Sequence, residues 1–198
     1  MTLIKFLRRY EKELKKKFGK RKGIVVTVSG LSGSGKTEVA KFIAKRLGLK
    51  YHSGGSAFRK LAAEQGKSLE DFCRVRDAWV DHKIEKETLK TVMQKNVVVD
   101  ARLSGWVAGK TAFKIFVSCP LEIRAKRVAK RDKIAVKEAL KKVAKRDESD
   151  IKKYLKLYKI DMNDKSIYDK VIDNSKSREN LKRELKLVVN QLAAKKLI

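Results

Sequence analysis

Proline is almost absent from this 198-residue chain: there is one, Pro120. Proline-rich linkers and polyproline segments are thereby excluded. Cysteine is nearly as scarce. Cys73 and Cys119 lie far apart and match neither a C-x-x-C pair nor a zinc-ligand spacing, so neither a disulfide framework nor a zinc site is expected. The two histidines, His52 and His82, stand alone and read as surface or packing residues. No run approaches the ~18 consecutive apolar residues of a membrane helix. The N-terminus is basic but shows neither the apolar stretch nor the cleavage site of a signal peptide, and Glu11 and Glu13, with few serines, argue against a transit peptide. A cytoplasmic protein without membrane association is expected.

Acidic residues are the other shortage, 23 against 51 Lys and Arg, for a net charge of +28. The first 22 residues hold ten basic and two acidic side chains, so the excess runs through the whole chain. Two readings stay open. One is weak affinity for RNA or another polyanion. The other is a lysine-rich, heat-adapted surface, with which the presence of only three glutamines agrees.

What is present is a phosphate loop. Gly30, Leu31, Ser32, Gly33, Ser34, Gly35, Lys36 and Thr37 match G-x-x-x-x-G-K-[ST]. A β-branched run (Ile24, Val25, Val26, Thr27, Val28) precedes them, and a helical segment opening at Glu38 follows. Glycines let successive N–H groups turn toward one phosphate chain, and the helix N-terminus adds partial positive charge. Lys36 is expected at the β- and γ-phosphates and the Thr37 hydroxyl on Mg²⁺. A flexible Gly/Ser linker would not sit between two apolar periodic segments. The chain is predicted to bind a nucleoside triphosphate.

The length suits one domain with a real core. Leu3, Leu7, Tyr10, Leu14 and Phe18 form a helical stripe that Gly19 stops, with Lys and Arg opposite. Residues 1–22 thus read as a basic amphipathic helix, either packed on the core or another subunit, or docking an anionic partner. Residues 23–198 read as a single α/β domain. Short strands are expected at residues 49–53, before a Ser53-Gly54-Gly55 turn, at 96–100, at 113–118 and at 171–173, with helices between them. Ser68 to Asp71 reads as a capping box, and residues 79–94 as a long helix. Ligands of a parallel sheet gather beyond the C-terminal strand ends, which places Asp100 to orient Mg²⁺ through water.

Arginine is the informative cation, since lysine outnumbers it 37 to 14 and its planar fork suits phosphate. Arg124, Arg127 and Arg131 share one helix face, and Arg146, Asp150 and Lys153 share another on a later helix, with a short charged helical segment at 133–145 between them. Two basic faces joined this way read as a flap that closes over a triphosphate and excludes water.

At these residues the sequence resembles the nucleoside monophosphate kinases, most closely the archaeal type of cytidylate kinase, over residues 24–192. The marks are the phosphate loop, Ser53-Gly-Gly55 with Phe58-Arg59, Ser68-Leu-Glu-Asp-Phe72, Asp100-Ala-Arg-Leu-Ser-Gly-Trp106, Arg124 with Arg127, Arg146-Asp-Glu-Ser149, and Ser166-Ile-Tyr-Asp169. The resemblance implies a P-loop kinase core with a five-stranded parallel sheet, a helical monophosphate-binding flap (about 53–95) and a short lid (about 131–150). It implies pyrimidine nucleotide metabolism, with ATP as donor, Mg²⁺ as cofactor and CMP or dCMP as acceptor, in a monomer. By position, Arg59 and Arg102 would hold the acceptor phosphate, and Ser53 and Gly55 would line its pocket. Arg127 would lie against ATP, Arg131 and Arg146 would bridge donor and acceptor, Asp150 and Lys153 would bind the acceptor, and the backbone around Ser175 to Ser177 would meet adenine.

The chain departs from that pattern in places. Asp100-Ala101-Arg102 stands for the usual Glu-Gly-Arg, Lys153 for an arginine, and Asp81-His-Lys-Ile-Glu85-Lys-Glu-Thr88 for the usual D-R-x-x-D-x-R-x-Q. Another monophosphate such as AMP, or an ATP-dependent RNA-binding or ribosome-assembly role on the same fold, remain the alternatives.

Overall fold

The computed structural model describes residues 2–19 and 22–196. Met1, Lys20 and Arg21 of the expected basic arm, and Leu197 and Ile198, lie outside the described residues. Five strands, β1 (Val25–Ser29), β2 (Lys50–Ser53), β3 (Val97–Asp100), β4 (Phe113–Ser118) and β5 (Lys170–Asp173), form one sheet in the order β2-β3-β1-β4-β5, and every pairing is parallel. The β1 strand is buried along its length, as its unbroken β-branched run requires of a central parallel strand. The register sets Val28 opposite Asp100 and Ser53 opposite the same Asp100. The ends of β1, β2 and β3 therefore meet at one edge of the sheet.

Nine α-helices surround the sheet among the described residues: α1 (Leu3–Phe18), α2 (Lys36–Leu47), α3 (Gly54–Glu64), α4 (Leu69–Val75), α5 (Ala78–Gln94), α6 (Ser104–Val107), α7 (Leu121–Asp132), α8 (Val136–Tyr158) and α9 (Arg178–Lys196). One face of the sheet packs Val26, Val28, Val98, Ile115 and Ile172 against Val39 and Ile43 of α2 and Leu181, Leu185, Val188 and Leu192 of α9. On the other face Val25, Val97 and Val99 meet Val92 of α5.

α1 is part of this body. Leu3, Phe6 and Leu7 are buried with Leu89 of α5, Leu103, Val107 of α6, and Tyr154 and Tyr158 of α8. Phe6 stacks on His82 at 4.3 Å, and Lys86 Nζ sits 3.5 Å from the centre of the Tyr10 ring. The apolar stripe of this helix is packed on the core.

Three details differ from the sequence reading. The expected Ser53-Gly54-Gly55 turn is a helix start: Ser53 caps α3 by accepting from Ser56 N, at 3.3 Å. Gly54 is needed there because a Cβ would come within 2.9 Å of Ala101 Cβ. The expected short segment at 133–145 and the helix beyond it are one 23-residue helix, α8. Its buried stripe of Ala139, Val143, Asp147, Asp150, Tyr154 and Tyr158 runs through without a Gly or Pro to break it. The short α6 and the 3₁₀ turn Gly109–Thr111 were not anticipated.

Candidate active site

β1 feeds directly into the phosphate loop, and α2 starts at Lys36. Gly35 caps α2 at φ 90°, and a Cβ there would collide with Asn174 Nδ2. The loop is braced from behind. Asn174 Nδ2 donates to the Ser34 carbonyl at 2.8 Å, and Arg127 Nη1 donates to the same oxygen at 3.3 Å. Arg127 Nη2 reaches the Asn174 carbonyl at 2.7 Å. Arg124 Nη1 donates to Ser32 O at 2.9 Å, and Ser32 N donates to Asp147 Oδ1 at 3.2 Å. These contacts fix the loop backbone from behind, and a backbone held in this way reorganises little when charge is placed on it.

Lys36 is half-buried, and its Nζ donates to the Leu31 carbonyl at 3.5 Å. Burial pushes its ammonium down to about 8; Asp100 opposes that shift, and Arg102 and Arg146 add to it. Thr37 Oγ1 donates to Asp100 Oδ2 at 2.6 Å, and Tyr51 OH donates to that oxygen at 3.1 Å. Asp100 is buried, yet its Oδ1 has no hydrogen-bond partner. A lone buried carboxylate oxygen beside a hydroxyl, at the foot of a phosphate loop, fits a hard cation such as Mg²⁺.

A cleft of about 240 Å³ opens in front of the loop. Of the residues expected from sequence, Ser32, Gly33, Gly35, Lys36, Thr37, Ser53, Gly55, Arg59, Asp100, Arg102, Arg127, Arg131, Arg146 and Asp150 line it. Gly30, Leu31, Ser34 and Glu38 belong to the loop and helix but do not line the cleft. Lys153 is not brought there either: its Nζ reaches Asp81 Oδ2 at 3.1 Å and donates to the Arg76 carbonyl. Arg124, expected on a phosphate-facing helix face, is turned inward to Ser32 and Asp147.

Sequence reasoning missed a buried ionic chain that ties α5 to the phosphate loop. Arg76 Nη2 pairs with Asp81 at 2.8 Å and with Asp150 at 3.0 Å, while its guanidinium lies 5.0 Å from the centre of the Phe58 ring. Asp150 Oδ2 pairs with Arg102 Nε at 2.9 Å, and Arg102 Nη1 with Asp147 at 3.2 Å. Burial works to raise the Asp150 carboxyl, but Arg102, Arg76 and Arg146 together hold it below its ordinary value. Arg102 keeps one buried nitrogen, Nη2, without a partner, and Arg146 likewise keeps Nε. Burial, with Arg102 beside it, lowers the Arg146 guanidinium. Two arginines with unmet donors in a cleft facing a phosphate loop form an anion trap.

Comparison with known proteins agrees with this geometry. Residues 25–176 match the cytidylate kinase-like family. The cytidylate kinase of Pyrococcus horikoshii is 41% identical over 155 residues, covering 77% of this chain and 81% of its own. That of Pyrococcus abyssi is 41% identical over 175 residues, covering 87% and 97%. The chain belongs to the cytidylate kinase-like family. Among solved structures, a shikimate kinase from Bacteroides thetaiotaomicron superposes with a TM-score of 0.57 at 13% identity, covering 86% of this chain and 98% of that one. A gluconokinase from Sinorhizobium meliloti gives 0.57 at 16% identity, covering 87% and 94%. Both show an α/β P-loop kinase fold. Two of the stretches that carry the resemblance, Asp100–Trp106 and Ser166–Asp169, touch each other here. Trp106 meets Tyr168 edge-on at 5.5 Å, and a Cβ at Gly105 would lie 3.0 Å from the Tyr168 ring. α1 and the whole of α9 fall outside the span matched by the family.

Proposed function

We propose that the chain transfers the γ-phosphoryl group of ATP to a pyrimidine nucleoside monophosphate, CMP or dCMP, giving ADP and CDP or dCDP. One observation carries this reading: the cleft joins a preformed phosphate loop to a second, partly apolar end, and Arg102, Arg131 and Arg146 line the space between. The loop amides and Lys36 hold the donor phosphates, and Arg127 flanks the loop on the donor side. The backbone around Ser175 to Ser177, which follows Asn174, receives adenine. Arg59 and Arg102 draw the acceptor phosphate into line, with Ser53 and Gly55 beside it. Arg131 and Arg146 meet the charge that develops on the transferring group. Thr37, and Asp100 through water, would hold Mg²⁺, which supplies charge neutralisation on the phosphate oxygens when bound. Asp150 acts by holding Arg76 and Arg102, and Lys153 by pairing with Asp81. The helical segment 53–95 serves as the monophosphate flap, and the α7–α8 hairpin, about 131–150, as the lid.

ADP release measured with CMP, dCMP, UMP, AMP and GMP tests the reading. Turnover fastest with CMP or dCMP is expected, fastest turnover with another monophosphate would reassign the acceptor, and no turnover with any of the five would overturn the assignment.

A second reading rests on α1, whose Lys5, Arg8, Arg9, Lys12 and Lys16 are all exposed. It is weak polyanion binding, expected to fall steeply with salt and to drop on removal of residues 1–22; salt-independent or absent RNA binding dismisses it. No helix of the described residues is long and apolar enough to cross a membrane. Cys73 and Cys119 are unpaired, which supports a reducing cytoplasmic setting. A monomer is expected on sedimentation.

A further inference from the structure

The far end of the cleft is lined by Phe58 of α3, Cys73 of α4, Ile84 and Glu85 of α5 and Tyr154 of α8. Phosphate chemistry does not account for a carboxyl group there. Glu85 is 2% exposed, and its Oε2 has no hydrogen-bond partner. The groups around it come from several elements. Asp81 stands one turn earlier in α5, Arg76 precedes the helix, Tyr154 and Tyr158 come from α8, and Cys73 from α4. Arg59, Asp100 and Arg102 line the same cleft from α3, β3 and the turn after β3, and α1 brings Phe6 to His82 and Tyr10 to Lys86 on α5. Among the described residues no cation lies within ion-pair distance of Glu85, because Arg76 is engaged by Asp81 and Asp150.

We infer that Glu85 binds the base of the acceptor, its carboxyl group meeting the base's hydrogen-bonding edge as a neutral donor–acceptor pair. This rests on the kinase reading above and assigns a residue to the base end of the same cleft. Burial favours the protonated form; it pushes the carboxyl up to about 8, Asp81 adding to the shift and Arg76 opposing it. A neutral carboxyl offers an O–H donor beside a C=O acceptor. Cytosine presents the complement, a ring N3 that accepts and an exocyclic N4–H that donates. Uracil presents the reversed pair, which the acid meets by carrying its proton on the other oxygen. The acid therefore recognises the pyrimidine edge as such and does not itself separate the two bases. Once ionised, the group has only acceptors, and cytosine N3 would face a lone pair in a dry pocket.

Three forms of the full chain test the inference: wild type, Glu85→Gln and Glu85→Ala. CMP affinity is measured by calorimetry without ATP from pH 7 to 9.5, and KM and kcat are measured alongside. Wild-type affinity is expected to weaken at least tenfold between pH 7 and 9.5. Glu85→Gln keeps a donor and an acceptor but cannot ionise; it should bind within a few-fold of wild type at pH 7 and show no such decline. Glu85→Ala should raise KM for CMP more than tenfold while KM for ATP stays put. The pyrimidin-2-one analogue of CMP, which lacks the exocyclic amine, should bind wild type less well than CMP but bind Glu85→Ala no worse than CMP. Lys36 is common to wild type and Glu85→Gln, so the comparison between them isolates Glu85. Superimposable pH profiles for those two, or an unchanged CMP affinity in Glu85→Ala, would overturn the inference. Failure of the kinase reading shows separately, as absent CMP turnover by the wild type. Glu85→Gln is isosteric, and a thermal melt of each variant identifies any that does not fold.

Discussion

The two ends of the cleft are built differently. The phosphate end comes from one contiguous loop between β1 and α2, with Asp100 and the arginines added around it. The base end is assembled from α3, α4, α5 and α8, which are separated by as many as a hundred residues. Backbone amides presented by one local motif, with the Lys36 charge beside them, do the work at the first. At the second, the function of a side chain depends on who buries it. Glu85 is an ordinary helical glutamate in sequence, and in the fold burial pushes its carboxyl up to about 8.

Lys36→Ala is the largest expected break of the phosphate end. Loss of a charge aimed at the transferring group should cost about 3–4 kcal/mol of transition-state stabilisation, a fall of ~10²–10³ in kcat/KM. The contrast between the ends predicts that CMP binding without ATP survives this change. If calorimetry shows both nucleotides lost together, the two ends are one energetic unit.

Arg76→Met tests the base end by stability. It takes from Asp81 and Asp150, both buried, the cation they share, leaving Lys153 and Arg102 as their remaining partners, and removing one partner from such a buried pair costs about 3–5 kcal/mol. Urea unfolding should show that loss. Glycerol-stabilised protein should still bind ATP, because the loop is braced by Asn174, Arg127 and Arg124 rather than by Arg76. An unchanged midpoint would mean that Asp150 is held by Arg102 alone.

Phe6→Leu is milder. Phe6 is buried and stacks on His82 of α5. Loss of the ring contact should cost about 1–2 kcal/mol in chemical denaturation. Because Phe6 and Tyr10 of α1 bear directly on His82 and Lys86 of α5, KM for CMP should rise more than KM for ATP. An equal rise in both would place the effect on the whole core.

Much of this was legible from sequence for the same reason the two ends differ. The five strands, the phosphate loop, Asp100 at the end of β3, and the buried stripe of α9 follow from local pattern alone. The continuity of α8 was hidden because its buried face carries Asp147 and Asp150, which look solvated until their arginine partners are seen. Arg124 was misread for the complementary reason: a cation on a charged helix face turned inward to brace Ser32. Asn174 carries no motif at all, and only the fold brings it to the Ser34 carbonyl. Glu85 falls at a patterned position, but its protonation is set by Asp81 and by burial, neither of which spacing reveals.

The last prediction concerns the base end without any ligand. Folded Glu85 keeps its proton up to about 8, whereas in the unfolded chain it lets go near 4.5. Between those values the folded state binds more protons than the unfolded one, so this residue lowers stability progressively as pH rises through the window, and the decline levels off above it. Glu85→Gln removes that contribution. Its melting temperature should match wild type near pH 4.5 and exceed it by an amount that grows toward pH 8, other groups being common to both chains. A gap that stays constant across the window would mean that the carboxyl is already ionised in the folded protein, and the base end would then be anionic rather than neutral.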